Sequence, residues 1–253
     1  MALPNIKNNL IQYRTTLPDS GLKVKYHAMT SGDVKPFLLL KNDVSFIELV
    51  DNVKQVLKNC TNIEDPDNIT LVDMQHVFLQ IHRASKGDET ELVFVCTHVK
   101  DDGVKCGSKI PHALDLTDVK VTPQSQDRIK SVKFDLDGMS IELTLKDFML
   151  GDIELLVDDD ENPNIDTNSV VDSVLLCIDK VTETNGSETI VHDAFTLQEL
   201  RDFYDQVPTS VTDKIERDYI NKGSVLKHEF EVQCPNCGSK HPVILDKLLD
   251  FFM

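Results

Sequence analysis

A cysteine-containing segment occurs twice in this chain, and it constrains the fold more than any other feature of the sequence. Residues 106–115 read CGSKIPHALD, and residues 237–246 read CGSKHPVILD. Each copy follows an apolar stretch that ends near another cysteine, Cys96 for the first copy and Cys234 for the second. The shared order of strand, cysteine, turn, Cys-Gly and strand predicts two similar hairpins, each with two thiols at one end.

The four cysteines of these hairpins have the residue type of a metal site. Cys234 and Cys237 have the spacing of a zinc knuckle, and the glycine that follows permits close backbone approach. Nine residues separate Cys96 from Cys106, and a hairpin turn through 101–103 could bring this pair together. We expect one structural Zn²⁺ bound by all four thiolates, a closed set that leaves no open position for catalysis.

Other interpretations of the cysteines stay open. The spacing of Cys234 and Cys237 is also that of a redox-active pair, although no helix is predicted to follow directly. The first pair could consist of ordinary strand cysteines, which would leave a two-cysteine site. His98 and His241 are alternative ligands. The two other cysteines, Cys60 and Cys177, lie in helical stretches where a thiol packs as a small apolar group.

The charge of the chain excludes some classes of partner. The net charge is −17, of which residues 121–253 carry −15 and residues 1–120 carry −2. Binding to nucleic acid or to an anionic membrane surface depends on Lys and Arg. We therefore expect no nucleic-acid partner, and protein partners with basic surfaces instead. No stretch approaches the about 20 apolar residues of a membrane span, and residues 1–9 lack a secretion pattern, so we expect a cytoplasmic location.

No motif in the sequence predicts catalysis. The chain lacks the phosphate-binding patterns GxxxxGK[ST] and GxGxxG, the nucleophile elbow GxSxG and the zinc-protease pattern HExxH. The acidic stretch Asp158–Asn168 is also unsuited to an EF-hand. A loop that starts at Asp160 has Ile165 where glycine is needed and Val171 where glutamate is needed. We therefore expect that the protein is not an enzyme.

The pattern of apolar and polar residues predicts an α+β fold. Helices are predicted where apolar residues recur every three or four positions, around 46–57, 71–81, 170–178, 197–204 and 211–219. Strands are predicted where apolar and polar residues alternate or where short apolar runs lie between turn residues, at 22–26, 91–96, 110–116, 132–136, 139–145, 155–157, 228–232 and 242–245. Residues 1–21 are interpreted as an irregular or extended arm and residues 117–129 as a loop.

These elements divide the chain into four predicted regions. Residues 1–90 form a strand plus a helical N-terminal part, and residues 91–120 with 224–253 form a zinc-ribbon-like strand unit built from the two cysteine knuckles. Residues 121–160 form a β-hairpin insertion, and residues 168–222 form a C-terminal helical segment.

Three stretches resemble a known family of viral proteins. They are LPDSGLKVKYHAMTSGDVKPFLL from Leu17, FLQIHRASKG from Phe78, and HEFEVQCPNCGSKHPVILDKLLDFF from His228. In their order and content they resemble the baseplate hub proteins of T-even-type contractile-tailed bacteriophages, the myoviruses. The chain departs from the family pattern at Ala84-Ser85 and in the longer first knuckle.

The resemblance implies a structural or assembly protein of the viral tail baseplate hub, made as a late protein. It implies a location in the host cytoplasm during assembly and in the virion baseplate, with no catalytic residues to carry over. The implied partners are other baseplate hub proteins and the tape-measure protein. Phe251 and Phe252 are expected either to contact a partner or to dock on the chain's own core. The alternative function is a zinc-ribbon adaptor in viral transcription or replication.

Overall fold

The computed structural model describes residues 9–39, 46–99, 103–152 and 170–246. The helices among these residues are α1 (Ser31–Leu39), α2 (Phe46–Cys60), α3 (Leu71–Lys86), α4 (Val170–Cys177), α5 (Leu197–Tyr204) and α6 (Thr209–Asp218). The strands are β1 (Tyr13–Thr16), β2 (Lys23–Tyr26), β3 (Glu89–Val95), β4 (Lys109–Asp115), β5 (Lys120–Thr122), β6 (Ser131–Leu136), β7 (Met139–Leu145), β8 (Ile178–Asn185), β9 (Glu188–His192), β10 (Val225–Gln233) and β11 (Lys240–Leu245).

The N-terminal part packs a small hairpin against amphipathic helices. Apolar residues of α2 and α3 recur at helical spacing, so Leu57 and Ile81 come to lie fully buried in one cluster with Leu17. Thr70 begins α3 by accepting a hydrogen bond from the Asp73 backbone N–H, as its position before the apolar run predicts. The arm predicted at the start of the chain contains a strand, because β1 pairs with β2 in antiparallel register.

The turn between β1 and β2 is bound to the start of α3. The fully buried carboxylate of Asp73 accepts hydrogen bonds from the backbone N–H groups of Asp19 and Ser20, at 2.8 and 3.0 Å. The Asp19 carboxylate in turn accepts hydrogen bonds from the hydroxyls of Thr70 and Ser224. The Pro-Asp-Ser-Gly turn is therefore a structural element that connects the N-terminal hairpin, α3 and the segment before β10.

Two hairpins form the ribbon unit. β3 pairs with β4, β10 pairs with β11, and β5 adds to the other side of β10. The hairpins contact each other through aromatic rings, of which His112 and Phe230 stack with centroids 4.3 Å apart. Leu79 of α3 is buried in one hydrophobic cluster with Leu92 of β3 and Leu226 of β10, which places the ribbon against the N-terminal part. β5 lies in the stretch that the sequence analysis predicted to be a loop. Its three residues form a strand only because they pair with β10, which local sequence does not reveal.

The third part is a four-stranded antiparallel meander in the order β6-β7-β8-β9, covered on one face by α4, α5 and α6. The predicted β6-β7 hairpin is present, with its turn at Asp137-Gly138. The predicted helices of 168–222 are also present, but the description of that segment as helical is wrong in one respect. It contains β8 and β9, which extend the hairpin sheet across the region boundary because β8 pairs with β7 over seven register positions.

Arg128 holds the meander to the chain segment that leads to the ribbon. Its guanidinium lies 2.6 Å from the Asp147 carboxylate, donates to the Tyr219 carbonyl at 3.0 Å and sits 3.8 Å above the Tyr219 ring.

Among the described residues, no helix is both long and apolar enough to cross a membrane. The strand predicted at 155–157 and the acidic stretch Asp158–Asn168 lie outside the described residues.

Candidate metal centre

The second knuckle is a tight turn between β10 and β11. Cys234 follows β10, and its backbone N–H donates to the Ser239 carbonyl at 2.8 Å. The Gly238 N–H donates back to the Cys234 carbonyl at 2.9 Å. Gly238 has a φ of +73°, a conformation that side-chain-bearing residues rarely adopt, which explains why glycine follows the second cysteine. The turn directs the thiols of Cys234 and Cys237 to the same side.

The first knuckle has the same hydrogen bonds despite its greater length. The Cys96 N–H donates to the Ser108 carbonyl at 2.9 Å, and the Gly107 N–H donates to the Cys96 carbonyl at 3.1 Å. Gly107 has a φ of +62°, close to that of its counterpart. These bonds match those of the second knuckle residue for residue, so the repeated Cys-Gly-Ser sequence corresponds to a repeated backbone structure.

The additional residues of the first knuckle form a small loop that leaves its ends in place. Val99 and Lys105 form an isolated antiparallel bridge, and the Cys106 N–H donates to the His98 carbonyl at 2.8 Å. Gly103 has a positive φ of +77°, as a turn residue there would. The other two residues of the predicted turn, 101 and 102, lie outside the described residues.

The four sulfur atoms form one cluster. Cys96 Sγ lies 3.6 Å from Cys237 Sγ, and Cys106 Sγ lies 3.9 Å from Cys234 Sγ. All four sulfurs lie within 4.8 Å of one another, an arrangement that could hold a metal ion. The sulfurs are too far apart for disulfides, whose S–S bond is about 2.05 Å, and the cysteines are free.

The protein environment stabilises some of these thiolates and disfavours others. The backbone N–H groups of Cys237 and Asn236 donate to the Cys234 sulfur and lower the pKa of that thiol to about 6. The Ser108 N–H lowers the pKa of Cys106 in the same way. Burial raises the pKa of Cys96 to about 12, since its sulfur lies in an apolar cluster. A bound cation would offset that desolvation, because thiolate ligands of a metal are deprotonated outright.

Comparison with known proteins identifies the family. A family model described as T4 bacteriophage base plate protein matches residues 10–253. The chain belongs to this family. No curated protein and no solved structure matched the chain.

As a phage baseplate protein, the chain is a structural component of the virion tail baseplate and binds other structural proteins of the phage. The matched range includes all four cysteines of the cluster and all three parts of the fold. The family favours the structural interpretation of the sequence over the zinc-ribbon adaptor of viral transcription or replication. It also agrees with the lack of catalytic motifs.

The structure places the other predicted residues in distinct positions. His241 is not part of the cysteine cluster of possible ligands, but its Nε2 lies 3.2 Å from Cys96 Sγ. The His98 side chain is exposed. Cys60 and Cys177 are buried in the hydrophobic clusters of the N-terminal part and the meander, away from the centre. Phe251 and Phe252 lie outside the described residues.

The sequence did not predict one contact of the centre. The side-chain amide of Asn236 lies 3.5 Å from Cys106 Sγ, so a residue of the second knuckle contacts a thiol of the first. The sequence shows that Asn236 lies inside the Cys-Pro-Asn-Cys turn. It does not show that Asn236 contacts Cys106, because that contact depends on how the two hairpins face each other.

Proposed function

We propose that this baseplate protein is a component or an assembly factor of the baseplate hub. It acts by binding other hub proteins and the tape-measure protein, and a structural zinc ion crosslinks its fold. The observation that supports the zinc part of this proposal is the meeting of four thiols from two hairpins at one point, and the baseplate role follows from the family match. A hub location is supported by the resemblance of three stretches of the sequence, at both ends of the matched range, to hub proteins.

The distances between the sulfurs fit zinc. Zn–S bonds of about 2.3 Å in a tetrahedron imply sulfur–sulfur distances of about 3.8 Å. The separations between the knuckles from Cys96 to Cys237 and from Cys106 to Cys234 are 3.6 and 3.9 Å. Four thiolates complete the coordination of the ion, so the proposed role of the metal is structural. The contacts of His241 and Asn236 with the sulfurs then act as outer hydrogen bonds that orient the ligands.

A metal at this position would close a long loop of the chain. The ribbon hairpins are separated in sequence by the whole meander, and their contact otherwise depends on a modest set of aromatic and aliphatic side chains. A crosslink between distant residues removes freedom from the unfolded chain, and the effect increases slowly with loop length. The zinc would thus keep the N-terminal part, the ribbon and the meander in one arrangement for binding.

The surface of the protein supports a role in binding other proteins. The net charge of −17 favours partners with basic surfaces. Phe251 and Phe252 are proposed as apolar contacts with such a partner. Assembly in the host cytoplasm before incorporation into the baseplate is part of the same proposal.

Fractionation of the phage tail tests the proposed location. Tails purified from the phage that encodes the chain are separated into the central hub and the peripheral baseplate, and each fraction is examined by mass spectrometry. We expect the chain in the hub fraction or in hub assembly intermediates, and we expect hub proteins to co-purify with a tagged copy. Recovery of the chain solely in the peripheral fraction would contradict a hub role.

A further inference from the structure

The outer strand of the meander sheet has a free edge. β9 pairs with β8 on one side, and no strand within the described ranges pairs with its other side. All residues of β9 are exposed, and Ile190 and Val191 retain 44% and 53% of their accessible surface. The unpaired N–H and C=O groups of such an edge can pair with an additional strand, and native proteins usually protect them.

The turn before β9 determines which of its backbone groups are free. A two-residue turn, 186–187, joins β8 to β9, and the flanking residues Asn185 and Glu188 face each other in the register. Residues that flank a two-residue turn form a hydrogen-bonded pair. Alternation along the antiparallel strands then directs the N–H and C=O groups of Thr189 and Val191 away from β8 and toward the free edge.

An apolar pocket adjoins this edge. It has a volume of about 270 Å³ and lies between the inner face of the sheet and α5. Phe195, Leu200 and Phe203 are among the apolar residues that line it. His192 belongs both to β9 and to the pocket wall, so a side chain from a strand added at the edge would project toward this apolar surface.

The charge around the edge and the pocket is acidic. Residues 178–204, which include β8, β9 and α5, contain six Asp or Glu residues and two Lys or Arg residues. Glu183 and Glu199 lie in the pocket wall itself. A segment with lysine or arginine side chains would neutralise this charge. A second copy of the chain would bring the same acidic surface to the contact, which disfavours pairing of β9 with itself.

We propose that β9 is a docking edge for an extended segment of a partner protein that carries apolar and basic side chains on the same face of its strand. The partner strand pairs with the backbone of Thr189 and Val191, inserts an apolar side chain beside Phe195 and Phe203, and places a basic side chain two positions along, on that same face, near Glu183. The inference rests on the proposed function for one point, that the partner is another hub protein. The docking edge itself is defined by backbone geometry, pocket and charge.

A synthetic peptide tests the docking edge directly. The probe is the capped peptide Thr-Lys-Thr-Leu-Thr-Lys-Thr, which carries a leucine between two lysines on one face of its strand, titrated against the full chain by calorimetry. Val191→Pro removes an N–H that points to the free edge and is not bonded to β8, so we expect binding about tenfold weaker, the effect of one lost hydrogen bond. Val191→Thr keeps that N–H and is the matched control, with affinity expected to be unchanged.

Amide hydrogen exchange separates docking from a folding defect. In the free chain we expect the amides of Thr189 and Val191 to exchange faster than that of Ile190, which is bonded to β8. The peptide should slow exchange at Thr189 and Val191 and leave Ile190 unchanged. In Val191→Pro, retained protection at Ile190 shows that the hairpin is intact. If Val191→Pro binds the peptide as tightly as the unmodified chain, the proposal is overturned.

Two further outcomes would replace the proposed occupant. A dimer of the chain that dissociates in Val191→Pro would show that β9 pairs with a second copy. Peptide binding that appears only after removal of residues 247–253 would show that the chain's own end covers the edge. Either result overturns the proposal of a basic partner segment.

The phage itself distinguishes failure of this inference from failure of the proposed function. Incorporation of Val191→Pro into the hub is compared with that of Val191→Thr, and we expect a reduction of about tenfold, matching the weaker peptide binding. Normal incorporation of Val191→Pro would overturn the docking edge and leave the hub role in place. Absence of the unmodified chain from both the hub and the hub assembly intermediates would overturn the hub role, whereas the peptide experiment would still decide the docking edge.

Discussion

Cys96 and Cys237 are 141 residues apart in sequence, yet their sulfur atoms are 3.6 Å apart in the folded chain. Cys106 and Cys234 form a similar contact across the same two hairpins. Each of these two contacts joins one knuckle to the other. This arrangement makes the centre a connection between the two ends of the ribbon unit, and the first two predictions follow from it.

Removal of one thiol should release the metal. We expect one zinc per chain by elemental analysis of the purified protein, and less than a tenth of that in Cys234→Ser. The free energy of unfolding should fall by about 3 kcal/mol or more, because the crosslink between the hairpins is lost. Cys177→Ala, a change in the core of the meander, should keep the zinc. A zinc-free unmodified protein would contradict the metal centre.

The loop of the first knuckle should be dispensable for metal binding. Replacement of residues 97–105 by Pro-Asn gives the first knuckle the length of the second. Because both knuckles already have equivalent hydrogen bonds at their cysteines and glycines, we expect zinc content to be unchanged. The same replacement in a Cys96→Ser background is the control and should bind no zinc. Loss of zinc in the shortened protein alone would show that the loop shapes the site.

The Asp73 carboxylate should contribute strongly to the stability of the N-terminal part. Asp73→Asn leaves one acceptor oxygen for two backbone donors, Asp19 and Ser20, and removes a negative charge from the first turn of α3. We expect a loss of about 2 kcal/mol in the free energy of unfolding, measured by urea denaturation. Asp51→Asn, an exposed change on α2, should stay within about 0.5 kcal/mol of the unmodified protein. Equal effects of the two variants would contradict the role of the turn.

His82 should make the protein less stable in mild acid. Burial, with a smaller contribution from Lys86, lowers the pKa of His82 to about 4. The unfolded chain binds a proton near pH 6.5 and the folded chain does not, so stability is lost as the pH falls from 6.5 toward 4. At pH 5 the loss should be about 2 kcal/mol relative to pH 7.

A variant that lacks the His82 imidazole isolates this effect from metal loss. His82→Gln should reduce the difference in unfolding free energy between pH 7 and pH 5 by the amount given above. Gln198→Ala, a non-titrating change at an exposed side chain, should retain the full difference. A His82→Gln protein with the pH dependence of the unmodified chain would refute the assignment.

The sequence predicted the helices and hairpins that are specified by residues within one short segment. The apolar spacing that predicted α2, α3 and α5 is a property of short segments. The strand pairs on either side of Asp137-Gly138 and of the second knuckle are equally local. The sequence did not predict the three short strands β1, β5 and β9. Their residues are largely exposed, and they form strands only because they pair with neighbouring strands.

The sequence by itself determined the four thiols, the repeated turn that carries them and the acidic charge of the chain. These follow from residue type and local spacing. The tertiary structure decided that both knuckles meet at one point, that Asn236 and His241 contact the sulfurs, and that β8 and β9 continue the meander past α4. These depend on the register and packing of segments far apart in sequence, which no local pattern encodes.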